Sequence, residues 1–403
     1  MRLLITADLQ LGSGDGYGTE QTPRAVDYAD TLERIEELVR ERLIDYLIIA
    51  GDVFQHRRPA IDELVLFHRF LSRVEADVII VAGNHDVRGP GLPTTVELFA
   101  NELTGVTVFT TPDVVQLSAG AEGPGVMLGV LPWAHPGYLR AAVSDELKRA
   151  DTVDREELLL RIAKGLAEEA GALELVPPSG TDALPVLVTH YALSGMSTPT
   201  GLPTSELNEA VLDCNELAAQ GWAAVYAGHV HKRERVDVGD TFLMSIGSPW
   251  RHDFGEASIE PAVLELDTQR PGRDDVILLP DRDFVTLELE GVEDTADPEG
   301  RVAPLGPLTD VAGAIVRVIV KVREEQVGRL DVESIRRNLA MRGAHNVHSI
   351  RLDVARSRRA RADVREDSEP LAALDEWARA SELDATAAER LRELTAKLIE
   401  GIR

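Results

Sequence analysis

Five short apolar runs in the first 231 residues each stop abruptly on a carboxylate, an amide or an imidazole. Leu3 to Ala7 stops at Asp8, Tyr46 to Ala50 at Gly51-Asp52, and Asp77 to Ala82 at Gly83-Asn84-His85-Asp86. Pro185 to Thr189 stops at His190, and Ala223 to Ala227 at Gly228-His229-Val230-His231. Short continuous apolar runs of this kind read as strands buried on both faces. Between the first three lie segments with apolar residues at helical spacing: Tyr28, Leu32, Ile35 and Val39, then Leu64, Phe67, Leu71 and Val74. Strands alternating with helices predict a layered α/β fold, and such folds place their chemistry at the carboxyl ends of the strands.

A lone Asp at a strand end is commonly a turn former, and a lone His is commonly structural. The joint pattern Gly-Asp, Gly-Asn-His-Asp and Gly-His-x-His instead points to a dinuclear metal site. Two cations about 4 Å apart need one bridging carboxylate, together with oxygen and imidazole donors that leave positions open for water and substrate. Such a pair hydrolyses phosphoesters. A donor set without thiolate favours Mn²⁺, Fe²⁺ or Zn²⁺ over a soft ion.

The remaining chain divides by pattern. Short strands are predicted at Val106 to Phe109 and Val126 to Leu131, a helix over Arg155 to Ala170, and a loop from Pro177 to Asp182. Thr241 to Ile246 and Ala262 to Leu266 close a first domain over residues 1–275. A smaller α+β unit over 283–355 reads strand (Ile315 to Val322), helix (Val332 to Met341), strand (Val347 to Val354). A basic linker, 356–369, leads to a helical segment, 370–403, with Ala387, Leu391, Leu394, Leu398 and Ile402 on one stripe.

Asp and Glu number 69 against 42 Lys and Arg, a net charge of −27 that argues against coating nucleic acid by charge alone. The segment from Ala314 to Arg365 is the local exception, with 13 basic residues against 6 acidic. The single cysteine, Cys214, excludes an internal disulfide framework and reads as a small core residue. No apolar run reaches 18 residues, and Met1 to Asp8 is too short and too soon acidic for a signal peptide, so the expected setting is the cytoplasm with no membrane partner.

These motifs resemble the calcineurin-like metallophosphoesterase superfamily, and more narrowly the SbcD-type (Mre family) DNA double-strand break repair nucleases. The match runs through most of the first 270 residues: Ala7-Asp8-Leu9-Gln10-Leu11-Gly12, Gly51-Asp52-Val53-Phe54 with Arg58-Pro59, Gly83-Asn84-His85-Asp86, Thr189-His190 and Gly228-His229-Val230-His231. The narrower likeness rests on Leu131-Pro132-Trp133 and on Gly247-Ser248-Pro249 followed by Asp253-Phe254-Gly255-Glu256.

The resemblance implies a four-layer β-sandwich flanked by helices, with a small capping domain and C-terminal helices. It implies two divalent metal ions, Mn²⁺ foremost, the first held by Asp8, Gln10, Asp52 and His231 and the second by Asp52, Asn84, His190 and His229, with Asp52 bridging. His85 would be the general acid or transition-state stabiliser, oriented by Asp86 through a carboxylate-to-imidazole hydrogen bond. The implied partners are DNA ends, a second copy of the chain and an SbcC-type coiled-coil ATPase; the terminal helix either holds that ATPase or packs back on the capping domain. Arg317, Lys321, Arg336, Arg337 and Arg342 would meet a DNA backbone or form a solvated face.

The chain departs from the family at two places. Residue 10 is Gln where the family pattern is Asp-x-His, a neutral and weaker ligand, and Gln55 stands where relatives commonly carry His or Asp, with His56 beside it. Three functions therefore stand: a metal-dependent DNA exonuclease and endonuclease subunit, a DNA-end-binding scaffold weakened in catalysis by Gln10, and a phosphodiesterase acting on a small substrate. His68, His135, His252, His345 and His348 read as structural or solvated.

Overall fold

The structure, a computed structural model, describes residues 1–89, 92–118, 125–133, 183–207, 209–270, 274–291, 304–305, 310–355, 369–381 and 383–402. The helix expected over Arg155 to Ala170, the loop from Pro177 to Asp182, His135 and the basic stretch Arg356 to Arg361 lie outside the described residues. Two compact units are present, one of residues 1–285, 311–316 and 343–348, the other of 286–310, 317–342 and 349–403.

The strands of the first unit are β1 (Arg2–Thr6), β2 (Tyr46–Ile49), β3 (Asp77–Val81), β4 (Val106–Phe109), β5 (Asp113–Leu117), β6 (Val126–Leu131) and β7 (Leu184–Thr189). They continue as β8 (Ala192–Leu193), β9 (Val211–Leu212), β10 (Ala224–Ala227), β11 (Glu234–Val238), β12 (Thr241–Ser245), β13 (Ala262–Asp267) and β14 (Asp275–Leu278). One six-stranded sheet has the order β14-β13-β1-β2-β3-β4, and the other the order β11-β12-β10-β7-β6-β5. In the first, β1 to β4 are parallel; in the second, β6, β7, β10 and β12 are parallel.

Side chains alternate across each strand, so one sheet supplies two cores. Leu3 and Ile5 of β1, Ile48 of β2 and Ile79 of β3 join Leu128, Val186, Val188 and Tyr226 of the second sheet in a core between the sheets. From the opposite face, Leu4, Leu47, Ile49 and Ile80 pack under three helices, α1 (Arg24–Arg42), α2 (Ile61–Arg73) and α3 (Glu97–Glu102). Tyr28, Leu32, Ile35 and Val39 form the buried stripe of α1, as the spacing predicts, and Leu43 ends the helix in a left-handed conformation. The outer face of the second sheet, with Leu187, Val225 and Leu243, is covered by α4 (Cys214–Ala219) and Trp222. The layers are therefore helix, sheet, sheet, helix, as expected.

The first sheet does not end near residue 267. β14 adds an edge strand by pairing Ala262 with Leu278, and the leading segment of the first unit runs to Val285. His345 and His348, expected in the small unit, group with the first, where the His348 ring lies 4.6 Å from that of Tyr17.

The second unit holds most of a four-stranded sheet made of β15 (Phe284–Gly291), β16 (Pro304–Leu305), β17 (Ile315–Arg323) and β18 (Asn346–Ala355), in the order β16-β15-β17-β18. Val318, Val320 and Val322 of β17 are buried, alternating with Arg317, Ile319 and Lys321. Helix α5 (Val332–Met341) is capped by the Asp331 carboxylate, which accepts from the Ser334 N–H at 2.9 Å, and it buries Ile335 and Leu339. Helices α6 (Pro370–Ala380) and α7 (Ala385–Ile402) are tied by an Arg392–Asp375 ion pair of 3.0 Å. No helix among the described residues is long and apolar enough to cross a membrane.

Candidate metal centre

The carboxyl ends of β1, β2 and β3 in one sheet, and of β7 and β10 in the other, meet at one place. Beyond the strands the backbone stays paired: the Asp8 N–H donates to the Gly51 carbonyl at 3.0 Å, and that of Gln10 to the Asp52 carbonyl at 2.8 Å. Four of the five described non-glycine residues with positive φ are candidate ligands: Asp8 (54°), Gln10 (38°), Asp52 (53°) and His229 (87°). Left-handed backbone costs such residues about 1 kcal/mol or more each, so the surrounding hydrogen bonds hold these side chains inward against strain. Close approach also demands glycine: a Cβ on Gly51 would lie 2.1 Å from His190 Nδ1, and one on Gly83 would lie 2.2 Å from Asp52 Oδ1.

Asp8, Asp52 and His190 are buried, with donor atoms all within 4.8 Å of one another. His190 Nε2 stands 3.3 Å from Asp52 Oδ2, 3.9 Å from Asp8 Oδ1 and 3.1 Å from Asn84 Oδ1. Asn84 Oδ1 lies 2.8 Å from His229 Nδ1. On the other side, Gln10 Nε2 lies 3.1 Å from His231 Nε2 and donates to Asp52 Oδ2 at 3.4 Å, and His231 Nε2 is 3.9 Å from Asp8 Oδ1. All seven expected ligands are thus brought together.

Each of the three imidazoles has its outer nitrogen committed to an oxygen acceptor. His190 Nδ1 is 2.7 Å from the Ala50 carbonyl, His229 Nε2 is 2.7 Å from Glu209 Oε1, and His231 Nδ1 is 2.6 Å from Glu256 Oε1. A neutral imidazole that donates outward presents a lone pair inward. At His190 and His229 the lone pairs face carboxylate and amide oxygens, so acceptor opposes acceptor, a balance that either a cation or added protons must supply, whereas the His231 lone pair meets the Gln10 amide nitrogen. Without a cation, protons do so. Burial would lower the His190 pKa, but Asp52 and Asp8 outweigh it and push the group up to about 10. Burial likewise opposes His231, yet Glu256 and Asp8 push it up to about 9. Burial raises the Asp8 carboxyl above the usual carboxylate range; burial also pushes Asp52 upward, but His190 and His85 hold it well below that range. Hard oxygen and borderline nitrogen donors fit a pair of divalent cations.

The His85 backbone N–H donates to Asp52 Oδ1 at 2.8 Å, and its Nδ1 lies 2.6 Å from the Gln55 carbonyl. The ring keeps Nε2 toward the centre, 3.9 Å from Asp52 Oδ2, and is partly exposed. The expected hydrogen bond from Asp86 to His85 is not made. The buried Asp86 carboxylate instead accepts from the backbone N–H groups of Asp52 (2.9 Å), Val53 (3.2 Å) and Gly83 (2.9 Å). Neighbouring residues in a tight turn send their side chains apart, so Asp86 braces the loops while Gln55 orients His85 through its backbone, a role its side-chain identity does not reveal.

His252, read as structural or solvated, is buried against the centre. Its Nε2 donates to the Asp8 carbonyl at 3.1 Å, its Nδ1 pairs with Ser13 Oγ at 2.6 Å, and burial holds its pKa well below the usual value, so the ring is neutral. Glu256 and Glu209 were not anticipated as supports. The run Asp253 to Glu256 was the one signal pointing to Glu256. An open pocket of about 530 Å³ adjoins the Gln10 side of the centre, lined by Gln10, Gly12 to Tyr17, Gln55, His56, His231, His252, Asp253, Glu256 and His348.

The proposed DNA-facing residues lie in the second unit. Arg317 donates to Thr286 Oγ1 at 3.0 Å, Lys321 pairs with Glu288 at 2.6 Å, and Arg337 lies 3.8 Å from Asp331. Arg336 and Arg342 are exposed on and just beyond α5.

A family model described as calcineurin-like phosphoesterase matches residues 1–233. The SbcD component of the nuclease SbcCD of Bacillus subtilis (strain 168) is 27% identical over 279 residues, which span 68% of this chain and 68% of that protein. The DNA double-strand break repair protein Mre11 of Methanopyrus kandleri is 38% identical over 91 residues, 22% of this chain and 20% of that protein. Among solved structures, a phosphopantetheinyl hydrolase from Mycobacterium tuberculosis aligns over 61% of this chain and 89% of its own, with 18% identity and a TM-score of 0.33.

Proposed function

The chain belongs to the calcineurin-like phosphoesterase family, and from that premise we propose that it is a metal-dependent DNA nuclease of the SbcD type. It would hydrolyse phosphodiester bonds at DNA ends during double-strand break processing, in the cytoplasm, as a dimer working with an SbcC-type ATPase. The observation that supports the metal-dependent part is the convergence of the Asp8, Asp52 and His190 donor atoms within 4.8 Å of one another, beside imidazoles whose outer nitrogens are committed to oxygen acceptors. The similarity to the SbcD component of the Bacillus subtilis nuclease over 68% of both chains supports the DNA-directed part, with the Leu131-Pro132-Trp133 and Gly247 to Glu256 runs.

Asp8, Gln10, Asp52 and His231 would hold one cation, and Asp52, Asn84, His190 and His229 the other; Mn²⁺ is our expectation. When bound, the pair supplies Lewis acidity that activates water and offsets charge on the phosphoryl oxygens. His85 is the proton donor of the reading. Its Nδ1–H is held by the Gln55 carbonyl, which leaves Nε2 at the edge of the centre, where the doubly protonated ring would give its Nε2 proton to the departing alkoxide and be left neutral. Arg317, Lys321, Arg336, Arg337 and Arg342 would contact the phosphate backbone without reading sequence.

Gln10 favours a second reading, a DNA-end-binding scaffold weakened in catalysis, because its neutral amide replaces a stronger ligand. Degradation of linear duplex DNA by the chain with its ATPase and Mn²⁺, lost on chelation, is the expected result. Binding of ends without cleavage at any Mn²⁺ concentration would establish the scaffold, and hydrolysis of a model phosphodiester with DNA left intact would establish a small-substrate phosphodiesterase.

A further inference from the structure

The two halves of the centre are unequal in donors. The half built on Asn84 has two imidazoles, His190 and His229, whereas the half built on Gln10 has His231 alone, beside a neutral amide. The halves also differ in what stands behind the imidazole. Glu209, behind His229, has 32% of its side chain exposed, so water screens its charge. Glu256, behind His231, is 8% exposed and lies at 2.6 Å. A carboxylate in that position orients an imidazole and raises its strength as a donor, an effect larger where the dielectric is low.

Glu256 is not positioned as a ligand itself. One oxygen receives the His231 ring N–H, and the other receives the backbone N–H of His252 at 2.7 Å. The nearby His252 ring is equally committed, to Ser13 and to the Asp8 carbonyl. The cluster His231, His252 and Glu256 is therefore a brace on the centre and not a third cation site.

We propose that Glu256 is a positioning residue that sustains cation binding in the Gln10 half, strengthening His231 where the side chain at residue 10 is a weak donor. This rests on the two-cation reading given above. It assigns the Gly247 to Glu256 run a role in cation affinity, and it predicts that residues 10 and 256 are energetically coupled although no bond joins them.

The test is Mn²⁺ titration of the full chain, with free ion counted by electron paramagnetic resonance, for the unsubstituted protein, Glu256→Gln, Glu209→Gln and the double variant Gln10→His/Glu256→Gln. The unsubstituted chain should take up two ions. Glu256→Gln should weaken one site by about 10- to 100-fold and leave the other in place. Glu209→Gln should have the smaller effect, and adding Gln10→His to Glu256→Gln should restore most of the loss. Two ions bound with equal affinity before and after Glu256→Gln would overturn the proposal while leaving the two-cation reading intact. Fewer than two ions on the unsubstituted chain at saturation would overturn that reading and this proposal with it. A merely structural role would weaken both sites together and lower the metal-free melting temperature, without rescue by Gln10→His. If Glu256→Gln does not fold, Glu256→Asp, which keeps the charge but shortens its reach, should also weaken one site selectively; equal loss at both sites would refute the proposal.

Discussion

At the scale of single residues, two adjacent side chains of one turn have different tasks. Asn84 offers its oxygen to two imidazoles, and His85 stands apart with Nε2 facing the centre. His85→Ala should therefore lower turnover by about 100-fold or more while Mn²⁺ stoichiometry is unchanged; loss of a bound ion in that variant would make His85 a ligand instead. The raised pKa values of His190 and His231, about 10 and about 9 in the cation-free protein, have a second consequence. Both rings carry protons at neutral pH, and a cation must displace them. Mn²⁺ affinity should rise from pH 6 toward pH 9, by about tenfold per pH unit for each proton displaced, with protons released into weak buffer; affinity flat across that range would contradict it. The ligands were legible in the sequence because each terminates an apolar run. Their supports were not, because Glu256 reaches His231 across 25 positions and His252 reaches Asp8 across 244, and no local pattern records such approaches. Adjacency misled in the opposite direction at Asp86, whose neighbour His85 is not its partner.

At the scale of elements, the strands buried on both faces were readable and the edges were not. β1, β2, β3, β7 and β10 are nearly continuous apolar runs, whereas β14 is exposed at three of its four residues and β11 alternates charged with half-buried positions. Such strands exist because a neighbour offers them a ladder, a tertiary cause. α3 and α4, of six residues each, are too short for a helical period to register. One edge also carries a titratable strain. Asp274, immediately before β14, is half-buried near Tyr226 of β10 and the Arg235 guanidinium of β11, and desolvation pushes its pKa up to about 6. A carboxylate harder to ionise in the folded chain than in the unfolded one loses stability as pH rises from about 4 through 6. Asp274→Asn should accordingly stabilise the protein at pH 8, on the order of 2 kcal/mol, with the difference fading by pH 4. Thermal melts at the two pH values check this, and a difference of the same size at both would exclude the electrostatic cause.

At the scale of the whole molecule, a net charge of −27 opposes unaided binding to DNA, so under the proposed function delivery to an end would fall to the proposed partner and to the basic residues of the second unit. The last helix presents an apolar stripe, with Leu394 and Leu398 54% and 66% exposed, on which the proposed ATPase would dock. Replacing both by Lys should abolish co-purification with the ATPase and shift the melting temperature by no more than about 2 °C, since neither side chain is buried; undiminished co-purification would place the docking surface elsewhere. The left-handed turn at His229 leaves its backbone N–H on the Asp8 carboxylate, 221 positions away along the chain. Donors so far apart make the centre a conjunction: it exists only when both sheets have closed on each other, and no proteolytic fragment that lacks either can assemble it. If the centre is loaded as proposed, cation uptake would signal completed folding across this unit, and a half-synthesised copy would have no centre.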